Sequence, residues 1–345
     1  MIELVNTIKY MHDLNFDKKR IENFLLAQSE MKNKEITLKS MPYRYIIEPS
    51  NKCNLHCPLC PTSIKSKDKQ YFDLSLEDFK KIIDQIKDYA LEIYLQNWGE
   101  PTLNKNLPEM ISYASKANIF TYVSTNFNLK YTDEYLEKLL KSGLSLLYID
   151  VDGTNQESYA KYRVGGDFER LIKNIKKIVE LKKKFSLKYP IIRTHFMVMK
   201  HNEQYIEKYK ELAKTLEVDE YTVGNIQVNP QTTYEWLPDN KDYVYESYYN
   251  EIEKPATCNW LYAGMVINSD GGVSPCCITF DKKDYFDNIY QHSIESIRNN
   301  DYYTSARASF TNEVQKETTI CAECLGMVGS KNLTRVGNTF AIKSR

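Results

Sequence analysis

The sequence predicts an α/β fold in which a curved, parallel sheet carries helices on its outer face. Three observations lead there. From residue 43 onward, short apolar runs alternate six times with stretches of helical periodicity. Each intervening stretch is long enough for a helical crossover, so consecutive strands are expected to run parallel. At 345 residues and 42% hydrophobic content the chain can bury a sizeable core, as one large domain with a smaller one beside it.

The elements follow in order. Residues 1–42 form an N-terminal helical extension, with Ile21, Phe24, Leu25 and Met31 as its apolar face amid Lys and Glu; a helix packed on the outside of the main domain is expected. Strands are expected at 43–48, 91–97, 119–124, 145–151, 191–199 and 218–225. Helices lie between them near 75–90, 104–117, 132–142, 155–185 and 203–216. Ser75-Leu-Glu-Asp78 and Thr132-Asp-Glu mark two helix starts, because short oxygen side chains accept from the first free amides. The main body is thus 43–225. Residues 226–257, rich in Tyr, Asn, Asp and Pro, read as a linker, with a substrate-covering lid as the alternative. Residues 258–345 make a second, cysteine-bearing domain. The seven lysines between Lys173 and Lys188 read as a solvated helix face, since no aromatic residues are interleaved to stack on bases.

Bulk charge narrows the function. With 46 basic and 46 acidic side chains the net charge is zero, so neither nucleic acid nor an anionic membrane is an expected partner. No apolar run is long enough to span a bilayer, and Met1-Ile-Glu-Leu-Val-Asn lacks a secretory pattern; a cytoplasmic protein is expected. Eight cysteines in a reducing compartment point to metal ligation rather than disulfides.

Cys53, Cys57 and Cys60 form a Cys-x3-Cys-x2-Cys loop directly behind the first strand. Three thiolates can hold a four-iron cluster and leave one iron without a protein ligand, and an open position is where chemistry occurs. A zinc knuckle is the alternative, with His56 as fourth ligand, but zinc hooks usually pair two Cys-x2-Cys or Cys/His units. The stretch Glu48-Pro-Ser-Asn-Lys-Cys53-Asn-Leu-His-Cys57-Pro-Leu-Cys60 resembles the radical S-adenosylmethionine (radical SAM) enzymes. That resemblance implies a partial (β/α)6 TIM-like barrel with the loop at the C-terminal end of strand one. It also implies a [4Fe-4S] cluster that binds SAM and splits it to a 5′-deoxyadenosyl radical, with a flavodoxin- or ferredoxin-type electron donor.

Further motifs fall at strand ends. Asn97-Trp98-Gly99-Glu100-Pro101 is similar to the family's Gly-Gly-Glu-Pro motif, with Trp98 in place of the first glycine. The resemblance implies that Gly99 and Glu100 hold the SAM ammonium, that Ser124 and Asp150 reach its ribose and carboxylate, and that Arg163 pairs with the carboxylate. Asp150 replaces a serine there and adds negative charge. Leu59 stands where relatives often carry an aromatic residue beside the adenine.

The remaining five cysteines lie in the last 90 residues or so, as Cys258, the pair Cys276-Cys277, and Cys321-Ala-Glu-Cys324. Gly271-x4-Cys276 followed by Cys-x2-Cys resembles the SPASM extension in its abbreviated, twitch-type form. This implies a second [4Fe-4S] cluster on Cys258, Cys276, Cys321 and Cys324, with Cys277 spare; a zinc ribbon is the alternative. The gap from Cys276 to Cys321 is tolerable, because loop closure costs only roughly 0.6 kcal/mol per doubling of length.

The expected activity is hydrogen abstraction from a substrate carbon, with the auxiliary cluster passing an electron; no catalytic base or hydrogen donor can be assigned. The residues leave a small-molecule or peptide substrate open. A sugar or aminocyclitol, dehydrogenated or epimerised, is favoured by the single auxiliary site. It is also favoured by an N-terminal segment about half the length of the leader-binding module of peptide-modifying relatives. Maturation of a ribosomally made peptide is the alternative, and a non-catalytic zinc-binding interaction protein is the rival from another class.

Overall fold

Six parallel strands run in chain order across the computed structural model, which describes residues 16–64, 70–226, 234–244, 256–311, 313–324 and 342–343. They are β1 (Arg44–Ile47), β2 (Glu92–Leu95), β3 (Phe120–Thr125), β4 (Leu146–Asp150), β5 (Ile191–Val198) and β6 (Glu220–Asn225). Each falls inside its expected span or within one residue of it. Beyond β1 the sheet continues into β7 (Gly264–Ile267), parallel to β1, and then into the antiparallel β8 (Gly272–Ser274) and β9 (Asp287–Asn288). At the other edge, β10 (Ile342–Lys343) lies antiparallel to β6. The sheet does not close on itself, so the barrel is partial.

Period-two alternation sorts the two faces. Ile93, Leu95, Val123, Leu147, Ile149 and Ile192 face outward into one core with the surrounding helices, through residues such as Phe79, Ile83, Met110, Leu139 and Ile175. The inner face carries a row of rings, Tyr94 to Tyr122 at 4.8 Å, Tyr122 to Tyr148 at 5.6 Å and Tyr148 to His195 at 5.1 Å. The buried ion pair Arg44–Glu92 and the partly buried pair Arg193–Glu220 flank that row. The C-terminal ends of β1 to β6 therefore open on one side, above an aromatic floor.

Helix Lys18–Asn33 closes the opposite end, where Phe24 meets Tyr43 edge-on at 5.0 Å and Ala27 joins Leu91, Phe120 and Leu146. The expected apolar face is only partly the buried one. Ile21 and Leu25 are exposed, whereas Arg20, Asn23, Ala27 and Glu30 are buried. Arg20 explains the reversal. Its guanidinium donates to the carbonyls of Lys87, Ala117 and Asn118, which end two neighbouring helices. Those carbonyls have no partner inside their own helices, so a buried cation serves them better than an apolar side chain. Residues 1–15 of the extension lie outside the described residues.

A second correction concerns the helix expected over 155–185. It is two helices, Gln156–Ala160 and Phe168–Lys184. Gly165 lies between them at φ +86°, and Asp167 caps the second by accepting from the Arg170 amide. The break matters because it presents Arg163 to the barrel mouth. Ser75 and Thr132 do cap helices, accepting from the amides of Asp78 and Tyr135. Of the lysine run, Lys177 and Lys183 pair with Asp133 and Glu217 at the surface, while Lys182 is buried against Asp219. Among the described residues no helix is long and apolar enough to cross a membrane.

Candidate active site

The three-cysteine loop leaves β1 at the open end of the barrel and is held by main-chain contacts. His56 N–H donates to the Val164 carbonyl at 2.9 Å, and Cys60 N–H donates to that of Cys57 at 3.1 Å. His56 is exposed while Cys57 next to it is buried, so the imidazole does not share the thiols' environment. The surroundings are apolar: Leu55, Cys57, Tyr162, Met199, Leu237 and Val244 form one buried cluster, against which Cys53, Leu59, Cys60 and Trp236 pack. Leu237 and Val244 come from the described part of the linker, 234–244, whereas 227–233 and 245–255 lie outside the described residues. That part shields the loop from water.

Burial governs the thiols. Cys53 is pushed up to about 12 by desolvation, with the charges of Glu100, Cys57 and Cys60 adding to the effect. Cys57 is raised by burial and partly relieved by Arg163. Such thiols lose their protons when a metal takes their place. Donors to sulfur are already present, since Leu55 N–H lies 3.5 Å and Asn126 Nδ2 3.7 Å from Cys53 Sγ. Soft ligands, a dry shell and N–H donors fit an iron-sulfur cluster. Among the described residues no three His, Cys, Asp or Glu side chains converge on a point that would hold a single metal ion.

Gly99 is demanded by chain packing. A Cβ there would lie 1.8 Å from the Ser50 carbonyl oxygen. Glu100 is buried, and its carboxylate accepts from Thr102 N–H at 3.1 Å, Asn126 N–H at 2.8 Å and the hydroxyls of Thr102 and Thr125. Burial raises its pKa and these donors pull it back. The acid thus binds the end of β2 to the end of β3. Ser124 faces inward, in register with Tyr148.

Arg163 reaches the same mouth from the broken helix. Its Nε donates to Asp152 at 2.7 Å, its Nη2 lies 2.5 Å from Asp152 and 3.2 Å from Asp150, and its Nη1 lies 4.0 Å from Cys57 Sγ. Asp152 was not singled out from sequence. It is fully buried at φ 42°, and its other oxygen accepts from Met197 N–H at 2.7 Å. A buried carboxylate at positive φ beside an arginine is legible only once the fold brings residues 152 and 163 together. The guanidinium expected to take the SAM carboxylate is therefore already engaged with two acids. Asp152 holds the closer share of its charge, so burial dominates at Asp150 and lifts it to about 7. His195, beside Asp150 in the sheet, is kept neutral by burial, down to about 4.

The other cysteines gather behind β7 and β8. Cys276 is raised well above the thiol range by burial, with Cys277, Cys258 and Cys321 close enough to add to it. Cys258 is likewise raised by burial, lies near Cys324 and accepts from the amides of Trp260 and Leu261. The four expected ligands thus share one neighbourhood with Cys277, and this donor set also fits an iron-sulfur cluster. Two fully buried arginines frame it. Arg298 donates to the carbonyls of Ser40, Leu261 and Tyr262, and Arg307 to those of Ile36, Leu261 and Arg298.

A family model described as the radical SAM superfamily matches residues 47–223, just over half the chain, and one described as an iron-sulfur cluster-binding domain (SPASM) matches residues 258–325. Fe-coproporphyrin III synthase of Methanosarcina barkeri is 30% identical over 176 residues, 51% of this chain and 41% of that protein. PqqA peptide cyclase of Granulibacter bethesdensis is 22% identical over 268 residues, 68% of this chain and 67% of that protein. In structure, Streptococcus suis SuiB bound to its precursor peptide SuiA is similar with a TM-score of 0.61 at 19% identity, covering 83% of this chain and 71% of that one. The chain spans about half or less of the first curated relatives it matches.

Proposed function

The chain belongs to the radical SAM superfamily, and from that premise we propose that it matures a ribosomally made peptide by taking hydrogen from a side-chain or backbone carbon. It is an enzyme with a SPASM/twitch-type auxiliary domain, and its cofactors are [4Fe-4S] clusters and SAM. When bound, the first cluster supplies the electron that splits SAM, and SAM supplies the radical that takes the hydrogen. Cys53, Cys57 and Cys60 hold that cluster, and Cys258, Cys276, Cys321 and Cys324 hold the auxiliary one. The main-chain loop at Gly99 and the inner residues Ser124 and Asp150 line the SAM side. Glu100 and Arg163 act from behind them: Glu100 fixes the strand ends, and Arg163 balances Asp150 and Asp152. A flavodoxin- or ferredoxin-type protein delivers the electron.

The observation that carries the peptide reading is the extent of one match. Similarity to a peptide cyclase runs over two thirds of both chains, whereas similarity to the porphyrin enzyme covers about half of this chain. The laterally open sheet agrees, because a chain can enter an unclosed barrel sideways. The sugar or aminocyclitol expected from sequence lacks comparable support. The test is anaerobic incubation of the reconstituted protein with SAM, a reductant and peptides encoded by short reading frames beside its gene. The expected result is 5′-deoxyadenosine formed in step with a peptide whose mass has changed by hydrogen loss. Turnover with a sugar or aminocyclitol and with no such peptide would overturn the reading.

A further inference from the structure

Trp98 occupies a position that the related motif fills with glycine, and holding SAM gives no reason for an indole there. Its neighbours do. Nε1 donates to the carbonyl of Thr279 at 2.9 Å, and the ring meets Phe280 edge-on at 5.5 Å and 83°. Thr279 and Phe280 belong to the turn that starts at Cys276, where Thr279 N–H donates to the Cys276 carbonyl at 3.3 Å and Thr279 Oγ1 lies 4.0 Å from Cys276 Sγ.

The main chain of Trp98 points the other way. Its N–H donates to Glu48 Oε1 at 3.0 Å, and its carbonyl accepts from the hydroxyl of Thr62, which follows Cys60 by two residues. Asn97 and Glu48 repeat the connection on either side. Asn97 Nδ2 donates to Asn268 at 2.9 Å, and Glu48 Oε2 accepts from Ser269 N–H at 3.1 Å and Oγ at 2.8 Å. One residue is thus bonded to the first cluster loop through its backbone and to the auxiliary loop through its side chain.

We propose that Trp98 is a positioning residue that couples the two cluster loops, so that a loaded auxiliary site tightens SAM binding at the first. A metal on Cys276 orders the turn that presents the Thr279 carbonyl. Without it, the indole must order that turn itself, and the loop at Gly99 and Glu100 loses its fixed seat. By linkage the effect is reciprocal, and SAM stabilises the auxiliary loop by the same factor. The coupling does not depend on which substrate the enzyme takes. It rests on the assignment of Cys321 and Cys276 to the auxiliary cluster.

The experiment is a four-way comparison of SAM dissociation constants by anaerobic equilibrium dialysis, on the full reconstituted chain as wild type, Cys321→Ala/Cys324→Ala, Trp98→Phe and the three changes combined. Two cysteines are removed because three thiolates can still hold a four-iron cluster. Iron content confirms loss of one cluster in the two variants that lack Cys321 and Cys324. Cys321→Ala/Cys324→Ala is expected to weaken SAM binding by about fivefold or more, within the usual range for coupled sites, and to add nothing in the Trp98→Phe background. Phe280→Ala in place of Trp98→Phe is expected to reproduce the pattern in part. Equal weakening in both backgrounds, or none in the wild type, would overturn the coupling while leaving the cluster assignment standing. Unchanged iron in Cys321→Ala/Cys324→Ala would overturn the assignment and the coupling with it.

Discussion

Asp150 illustrates how one side chain inherits its chemistry from its neighbours. Arg163 is close, yet Asp152 takes the shorter contacts with it, and Asp150 is left half-buried with a partial share of one positive charge. Its folded pKa of about 7 lies above that of an exposed carboxylate. The folded state therefore favours the protonated form. That contribution to stability is complete below the unfolded pKa of about 4 and is lost as pH rises through about 7. A protonated-carboxyl infrared band is expected at pH 6, fading by pH 8 and missing in Asp150→Asn; persistence of the band in that variant would reassign it. The thiols give a second residue-scale test. Cys57→Ala is expected to lose 5′-deoxyadenosine formation and about half the iron, since a four-iron cluster cannot hold on two of its three ligands. Anaerobic iron and nucleoside assays check both.

At the scale of elements, the N-terminal helix shows what periodicity leaves unread. Its apolar residues are visible in sequence, but which stripe faces inward depends on helix ends that arrive from distant parts of the chain. Arg20 is drawn in by the carbonyls at 87, 117 and 118, and Ile21 and Leu25 are turned out. Arg20→Met is expected to destabilise the protein by about 2–3 kcal/mol, because it strips buried carbonyls of their donor. Leu25→Ala is expected to stay within about 0.5 kcal/mol, as for an exposed site. Denaturant midpoints on the two variants decide, and the opposite ranking would restore the face read from sequence. The break at Gly165 differs. The stretch 155–185 reads as helix on either side of Gly165-Gly166-Asp167, a local break signal, and the docking of Val164 on the cysteine loop shows what the break is for. The strands were legible because period-two alternation and crossover length are local signals. The loop of Cys53, Cys57 and Cys60 stood out in sequence because its spacing, too, is a local signal, and the structure sets it at the open end of the barrel among apolar side chains. Asp152, Glu48 and the reach of Trp98 were not, since each acquires meaning from a partner far away in sequence.

For the whole molecule, the question is whether barrel and auxiliary region are separable. The register says they are not. β7 pairs with β1 from Arg44↔Gly264 to Ile47↔Ile267, on the side of β1 away from β2. Leu261, Met265, Ile267, Ile294, Ile297, Tyr303 and Ala306 belong to the same buried core as the barrel helices. Removing everything after Ile226 would expose those contacts and leave the β1 edge unpaired. An open apolar edge of this kind templates aggregation. The loss reaches the bottom of the barrel too, because Arg298 and Arg307 hold the carbonyls of Ser40 and Ile36. A chain ending at Ile226 is therefore expected to be insoluble or to lack a cooperative unfolding transition, rather than to persist as a free barrel. Soluble expression followed by thermal unfolding tests it. A truncated chain that melts cooperatively and still binds iron through Cys53, Cys57 and Cys60 would show that the two regions fold independently. In that case the contacts through Glu48 and Trp98 would be a docking interface between finished domains, and not part of one shared core.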